Sequence, residues 1–232
     1  MDVIGFKRIV RREISVYGEF PWMAAVYIYG KYKCSGSLIT QRHVLTAAHC
    51  FQGLNYLEAT TQVKIAVGLA LLSDIAKPGV LKPIDKLFIY PKLRYEDVNN
   101  VISPVYDLSI ARLKNKLPVS PFAVPIKLPR KGRDFSNRTA TIASWGSLYE
   151  PAEAPSNILL HGNVKIIDID TCLTLSIRNH MSRALNLDSI LCATSGENDE
   201  CLGDSGAPLT VRRGTSTVLA GFVNMKALAL KT

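Results

Sequence analysis

Short runs rich in Val, Ile, Tyr and Thr recur along the whole chain, each stopped by Gly, Pro, Asn or Asp. Met23 to Tyr29, Gln62 to Val67, Leu87 to Tyr90, Asp107 to Leu113, Thr139 to Ala143, Gly162 to Ile167 and Ser216 to Val223 are the clearest. β-Branched and aromatic residues favour the pleated strand, and the turn residues limit its length. A helical period shows only in a short stretch around Asp170 to Ile177. Many short strands with frequent turns predict an all-β barrel or sandwich.

The strand pattern breaks once, near the middle. Pro118, Pro121, Pro125 and Pro129 fall within Leu117 to Arg130. Proline has no N–H to give to a ladder, so this stretch reads as an extended tether between two β modules of similar size. At 232 residues, 47% hydrophobic and 20% charged, the composition is that of a globular protein and excludes global disorder. No run of about 18 apolar residues occurs, so no membrane span is expected. The first residues, Met1 to Arg8, do not have the form of a signal peptide. The net charge of +9 is scattered rather than gathered on one helix or stripe, which reads as a solvated basic surface and not as a nucleic-acid site. Five cysteines cannot all pair within the chain. No C-x-x-C pair is present, so metal binding is not expected, and no cofactor is implied.

Three segments carry chemistry: Leu45-Thr46-Ala47-Ala48-His49-Cys50, Asp107 to Leu113, and Gly203-Asp204-Ser205-Gly206-Ala207-Pro208. A serine hydroxyl is a weak nucleophile and needs a base beside it. An imidazole suits that task, and a buried carboxylate can fix the tautomer that presents the correct nitrogen. Glycine on both sides of the Asp204-Ser205 pair suits a tight turn that exposes the hydroxyl, with the N–H groups of Gly203 and Ser205 aimed at a developing oxyanion. Singly, each segment has a structural explanation, because His, Asp and Gly-Asp-Ser-Gly are all common in turns. The three together in this order point to nucleophilic catalysis.

These segments resemble the trypsin/chymotrypsin family of serine endopeptidases, trypsin-like subgroup, and the likeness runs from Ile9 to about Met225. Gly18-Glu19-Phe20-Pro21-Trp22, Cys34-Ser35-Gly36-Ser37-Leu38-Ile39 and Ala143-Ser144-Trp145-Gly146 match further family segments. The resemblance implies two packed antiparallel β-barrels: barrel one at about 20–117, the linker at about 118–130 and barrel two at about 131–232. It implies His49 as general base and acid, Asp107 as its orienter, Ser205 as nucleophile, and Gly203 with Ser205 as oxyanion hole.

The same resemblance implies cleavage between Arg8 and Ile9, with residues 1–8 the remnant of an activation peptide and the Ile9 ammonium pairing with Asp204. Asp199 would lie at the floor of the specificity pocket and select Arg or Lys. Cys34 would pair with Cys50 and Cys172 with Cys192, leaving Cys201 unpaired. Two bridges fit a secreted protein, and Asn137-Arg138-Thr139 is a glycosylation sequon. Two departures stand out. The family continues Ile-Val-Gly-Gly where this chain has Ile9-Val10-Arg11-Arg12, and it has Ser-Trp-Gly where this chain has Asn224-Met225-Lys226. The tail after Val223 is too short for the last strand and terminal helix of the family, so the second barrel is expected to be incomplete there. The function expected is hydrolysis of peptide bonds after Arg or Lys by a monomer whose partners are polypeptide substrates and protein inhibitors. The competing reading is a catalytically impaired homologue that binds or regulates.

Overall fold

In a computed structural model of the chain, residues 2–6, 13–77, 80–98, 101–146, 154–178, 190–194 and 205–227 are described. The strands come in chain order as β1 (Asp2–Phe6), β2 (Glu13–Ile14), β3 (Met23–Ile28), β4 (Lys31–Thr40) and β5 (His43–Ala47). Helix α1 (Tyr56–Gln62) precedes β6 (Val63–Val67), β7 (Lys82–Ile89), β8 (Arg94–Val98), β9 (Val101–Val105) and β10 (Leu108–Leu113). Then follow β11 (Thr139–Ser144), β12 (Leu160–Ile167), helix α2 (Ile169–Arg178), β13 (Ile190–Thr194), β14 (Pro208–Arg213) and β15 (Ser216–Ala227). Every strand run named from the sequence overlaps a strand, though Tyr29, Gln62, Tyr90 and Asp107 at their ends fall outside it, and the stretch with helical period lies in α2.

The first barrel closes in the order β10-β5-β4-β3-β6-β7, with β10 meeting β7 to seal the ring. Its pairings are all antiparallel, and the turns that join β3 to β4 and β4 to β5 are two residues long. Strand β3 explains how the two modules join. All six of its residues are buried, although a barrel strand turns only alternate side chains inward. Ala24, Val26 and Ile28 pack in the barrel core with Leu38, Val44, Val63 and Leu113. Met23, Ala25 and Tyr27 face the other way, against Ala143, Trp145 and Leu159 of the second module. The indole of Trp145 is fully buried there, and its Nε1 donates to the Ala70 carbonyl at 3.3 Å.

The second ring runs β11-β14-β15-β1-β13-β12 and returns to β11, with β2 extending it along the first half of β12. Its core is built on Ile142, Val164, Ile166, Leu191, Ala207, Leu209 and Val223. Five members of the ring follow the tether; the sixth, β1, comes from before barrel one. It pairs in parallel with β13 on one edge and with β15 on the other. Where the sequence reading expects the second barrel to be incomplete, β1 occupies the position between β13 and β15.

The proline-rich tether forms no strand. It is held instead by scattered backbone bonds to both modules: the N–H groups of Val124 and Ile126 donate to Pro21 and Leu38, and that of Leu219 to Lys127. Strand β15 crosses the boundary too, with Phe222 in the core of barrel one and Val223 in that of barrel two. Among the described residues no helix is long and apolar enough to cross a membrane.

Candidate active site

His49 lies in a 3-10 turn, Ala48–Phe51, that follows β5 directly. The disulfide between Cys34 of β4 and Cys50 ties this turn to the barrel wall. Asp107 sits just before β10, the strand that pairs with β5, so the barrel register itself brings the two residues together. The carboxylate of Asp107 is fully buried. Its Oδ1 accepts from the backbone N–H of His49 at 2.7 Å, and its Oδ2 lies 2.5 Å from His49 Nδ1. A buried carboxylate is stable only when hydrogen-bonded, and here the bonds fix both the position and the rotation of the imidazole.

Ser205 arrives from barrel two. Its Oγ lies 2.7 Å from His49 Nε2. The segment after it is pressed against barrel one. The Ser205 carbonyl accepts from the N–H of Ser35 on β4 at 2.9 Å. Gly206 has φ +81°, and a Cβ there would come within 2.2 Å of both the Ser35 carbonyl oxygen and Thr46 Oγ1. Only glycine fits, because both the backbone region and the space forbid a side chain. Thr46 Oγ1 donates to that same Ser35 carbonyl at 2.6 Å, and the N–H of Gly206 donates to Val223 on β15 at 2.7 Å. The glycine after Ser205 therefore does more than free a turn: it allows the two barrels to touch where the hydroxyl meets the imidazole. The sequence carries the glycine, but the contact that demands it is long-range.

A depression of about 330 Å³ opens beside His49, lined also by Gln52, Tyr95, Pro104 and Asn224. Tyr95 and Pro104 belong to the paired strands β8 and β9, which form a separate two-stranded ribbon over the site. Burial, and then the charge of Asp107, push the Tyr95 phenol above its ordinary pKa. Asn224, where the family has Ser, is 6% exposed, and its Nδ2 donates to the Pro104 carbonyl at 3.4 Å. Sequence reasoning passes over Tyr95, Pro104 and Gln52. Nothing local marks them, since they meet the site only through the ribbon and the turn after His49.

The other candidates are distributed as follows. Cys172 at the start of α2 is bonded to Cys192 on β13. Asn137 is exposed in a turn before β11, with φ 62°. Arg8, Ile9, Asp199, Cys201, Gly203 and Asp204 lie outside the described residues. Among the described residues, the one group with metal-ligand spacing is Cys34, His49 and Cys50. Its two sulfurs are bonded to each other and both ring nitrogens of its imidazole are engaged, so it offers no open ligand set.

Where the two β-barrels meet, an Asp, a His and a Ser are thus linked in series, an arrangement that serine hydrolases share. The sequence relationships agree. The family model described as Trypsin matches residues 9–229. Over 228 residues the chain is 31% identical to "Serine protease filzig" of Drosophila melanogaster, covering 94% of this chain and 13% of that protein. It is 29% identical over 228 residues to "Serine proteinase stubble" of the same organism, covering 94% of this chain and 27% of that protein. It is 31% identical over 236 residues to "Venom serine protease Bi-VSP" of Bombus ignitus, covering 95% and 62% respectively. The chain thus spans less than two thirds of the length of these relatives. It belongs to the trypsin family of serine endopeptidases.

Proposed function

We propose that this chain hydrolyses peptide bonds after Arg or Lys through an acyl-enzyme on Ser205. One observation carries the reading: the unbroken hydrogen-bond series from Asp107 through His49 to Ser205. His49 Nε2 takes the hydroxyl proton as Ser205 Oγ bonds to the scissile carbonyl carbon. The negative charge then resides on the carbonyl oxygen, where the N–H groups of Gly203 and Ser205 stabilise it. Collapse breaks the C–N bond, and the departing amine takes the proton from His49. A water then repeats the sequence, giving its proton to His49 and releasing the acid from Ser205. Asp107 holds the imidazole in the tautomer that both halves need.

Cleavage between Arg8 and Ile9 activates the chain in this reading, with the new ammonium pairing with Asp204. Asp199 selects the cationic side chain, which fits the family's trypsin-like subgroup. The two disulfides, and the Asn137 sequon in an exposed turn, support a secreted, extracellular protein. Polypeptide substrates and protein inhibitors are its partners, and it works as a monomer. Asn224-Met225-Lys226 in place of Ser-Trp-Gly favours a second reading, a family member that binds polypeptides without cutting them.

One experiment separates the two. After cleavage at Arg8, a fluorophosphonate probe is expected to label the wild-type chain and not Ser205→Ala. Peptide anilides ending in Arg or Lys are expected to be cut in preference to those ending in Phe, with the preference lost in Asp199→Ala. A correctly folded, cleaved chain that takes no label would overturn the enzymatic reading in favour of the binding one.

A further inference from the structure

Strand β1 lies upstream of the proposed activation bond, yet it is built into the second barrel. We propose that Asp2–Phe6 is a permanent strand of that barrel, and that cutting the chain after Arg8 leaves it in place. The processed protein is then two chains held together by a β-ladder. This rests on the cleavage reading above only for the position of the cut.

The ladder is continuous on both edges. Asp2, Val3, Ile4, Gly5 and Phe6 pair with Ile190, Leu191, Cys192, Ala193 and Thr194 on β13. On the other edge Asp2 and Val3 pair with Phe222 and Val223 of β15, and after a one-residue shift Ile4, Gly5 and Phe6 pair with Met225, Lys226 and Ala227. Strands β13 and β15 have antiparallel partners on their far sides, β12 and β14. Without β1, each would present an unpaired edge at a point where Leu191, Cys192, Ala193, Phe222 and Val223 are buried. Backbone groups unpaired in such surroundings are costly, and open edges invite other strands. The composition fits the place. Val3-Ile4-Gly5-Phe6 is an uncharged run between Asp2 and the Lys7-Arg8 pair, as a strand paired in parallel on both edges requires.

The cut itself falls between two described strands. Residues 7–12 join β1 to β2, and β2 is anchored separately on β12 through Glu13 with His161 and Ile14 with Leu160. Both sides of the Arg8–Ile9 bond are thus held to the same sheet by different strands. None of residues 1–8 is a cysteine, so no disulfide from this segment itself backs up the ladder.

Two measurements test this. In the uncut full-length chain, Val3→Cys with Val223→Cys is expected to cross-link on mild oxidation, because the two residues are ladder neighbours. Val3→Cys with Leu209→Cys, on the non-adjacent β14, is expected not to. In the Ser205→Ala background, limited digestion by an Arg-specific protease should create an Ile9 N-terminus. Native mass spectrometry should then find one Met1–Arg8 peptide per protein, released only in guanidinium. A missing Val3–Val223 cross-link would overturn the proposal. So would a peptide that departs on gel filtration while the melting temperature stays unchanged. If no Ile9 terminus forms, the activation reading fails by itself, and the cross-link alone supports or overturns the strand.

Discussion

The two barrels close by different routes. The first is sealed by strands between Met23 and Leu113, each joined to the next by a local connection. The second draws five strands from the chain after the tether and one from its beginning. Closing the first ring pairs β3 with β6 over a modest loop, whereas seating β1 against β15 spans nearly the whole chain. Loop-closure entropy grows slowly with length, so the long pairing is affordable at equilibrium; it is the rate of forming it that suffers. Barrel one, closed by its own strands, is therefore the scaffold, and barrel two, which borrows β1, the dependent one, although Phe222 of β15 packs in the core of barrel one. The site divides the same way, with His49 and Asp107 on the scaffold and Ser205 on its dependent partner.

The largest effect expected on this division is at Asp107. It is fully buried in barrel one and touches no atom of substrate in the proposed reaction, yet Asp107→Asn should lower kcat by about 10⁴-fold, the known cost of that exchange in triad enzymes. The test reads kcat on an Arg anilide together with the melting temperature. A drop in activity matched by global unfolding would mean that Asp107 only supports the scaffold.

Core truncations give the next largest effect and bear on the barrels directly. Leu38→Ala in barrel one and Ile142→Ala in barrel two, both essentially unexposed, should each cost about 2–5 kcal/mol. Native-state hydrogen exchange should place the two differently. Amides of Leu160–Ile167 on β12 should exchange through a lower-energy opening than those of Met23–Ile28 on β3, and Ile142→Ala should widen the gap. Equal protection in both barrels would erase the contrast drawn here.

The smallest effect lies at Asp85 on β7, in barrel one alone. Hydrogen bonds from Arg112 first, then the charges of Arg112 and Arg42, hold its carboxyl below the ordinary range against the opposing pull of burial. A depressed carboxyl stabilises the fold above its unfolded pKa and loses that contribution as pH falls through the folded value. Asp85→Asn should accordingly melt below the wild type at neutral pH, and the difference should close as pH drops under about 3.9, the ordinary Asp value. A difference that persists unchanged in acid would remove charge pairing as the cause.

How far the sequence reveals this molecule follows the range of the interactions. The strands of barrel one are plain in it, because alternation and turn residues act within a few positions. Strand β10 buries Ser109, Ala111 and Leu113 in strict alternation. Helix α1 has a local signal too, a capping box in which Asn55 and Glu58 bond each other's backbone N–H, yet its single buried residue, Ala59, leaves no apolar stripe to read. The place of β1 is not legible, since the four-residue uncharged run Val3–Phe6 holds no address for partners at Leu191 and Val223. At the site, the Ser, His and Asp are visible as motif residues. The reason Gly206 must be glycine, and the presence of Tyr95 and Asn224 beside His49, exist only after the barrels have docked.

Gly206 also has a bearing on biosynthesis. Its close approach to Ser35 and Thr46 joins residues of the two modules, so it forms only once both are in place. A nascent chain with one module formed holds either a base without a hydroxyl or a hydroxyl without a base. In the proposed reaction, assembly of the site is thereby a coincidence test on the whole domain, and a half-made copy would have no means to digest its neighbours.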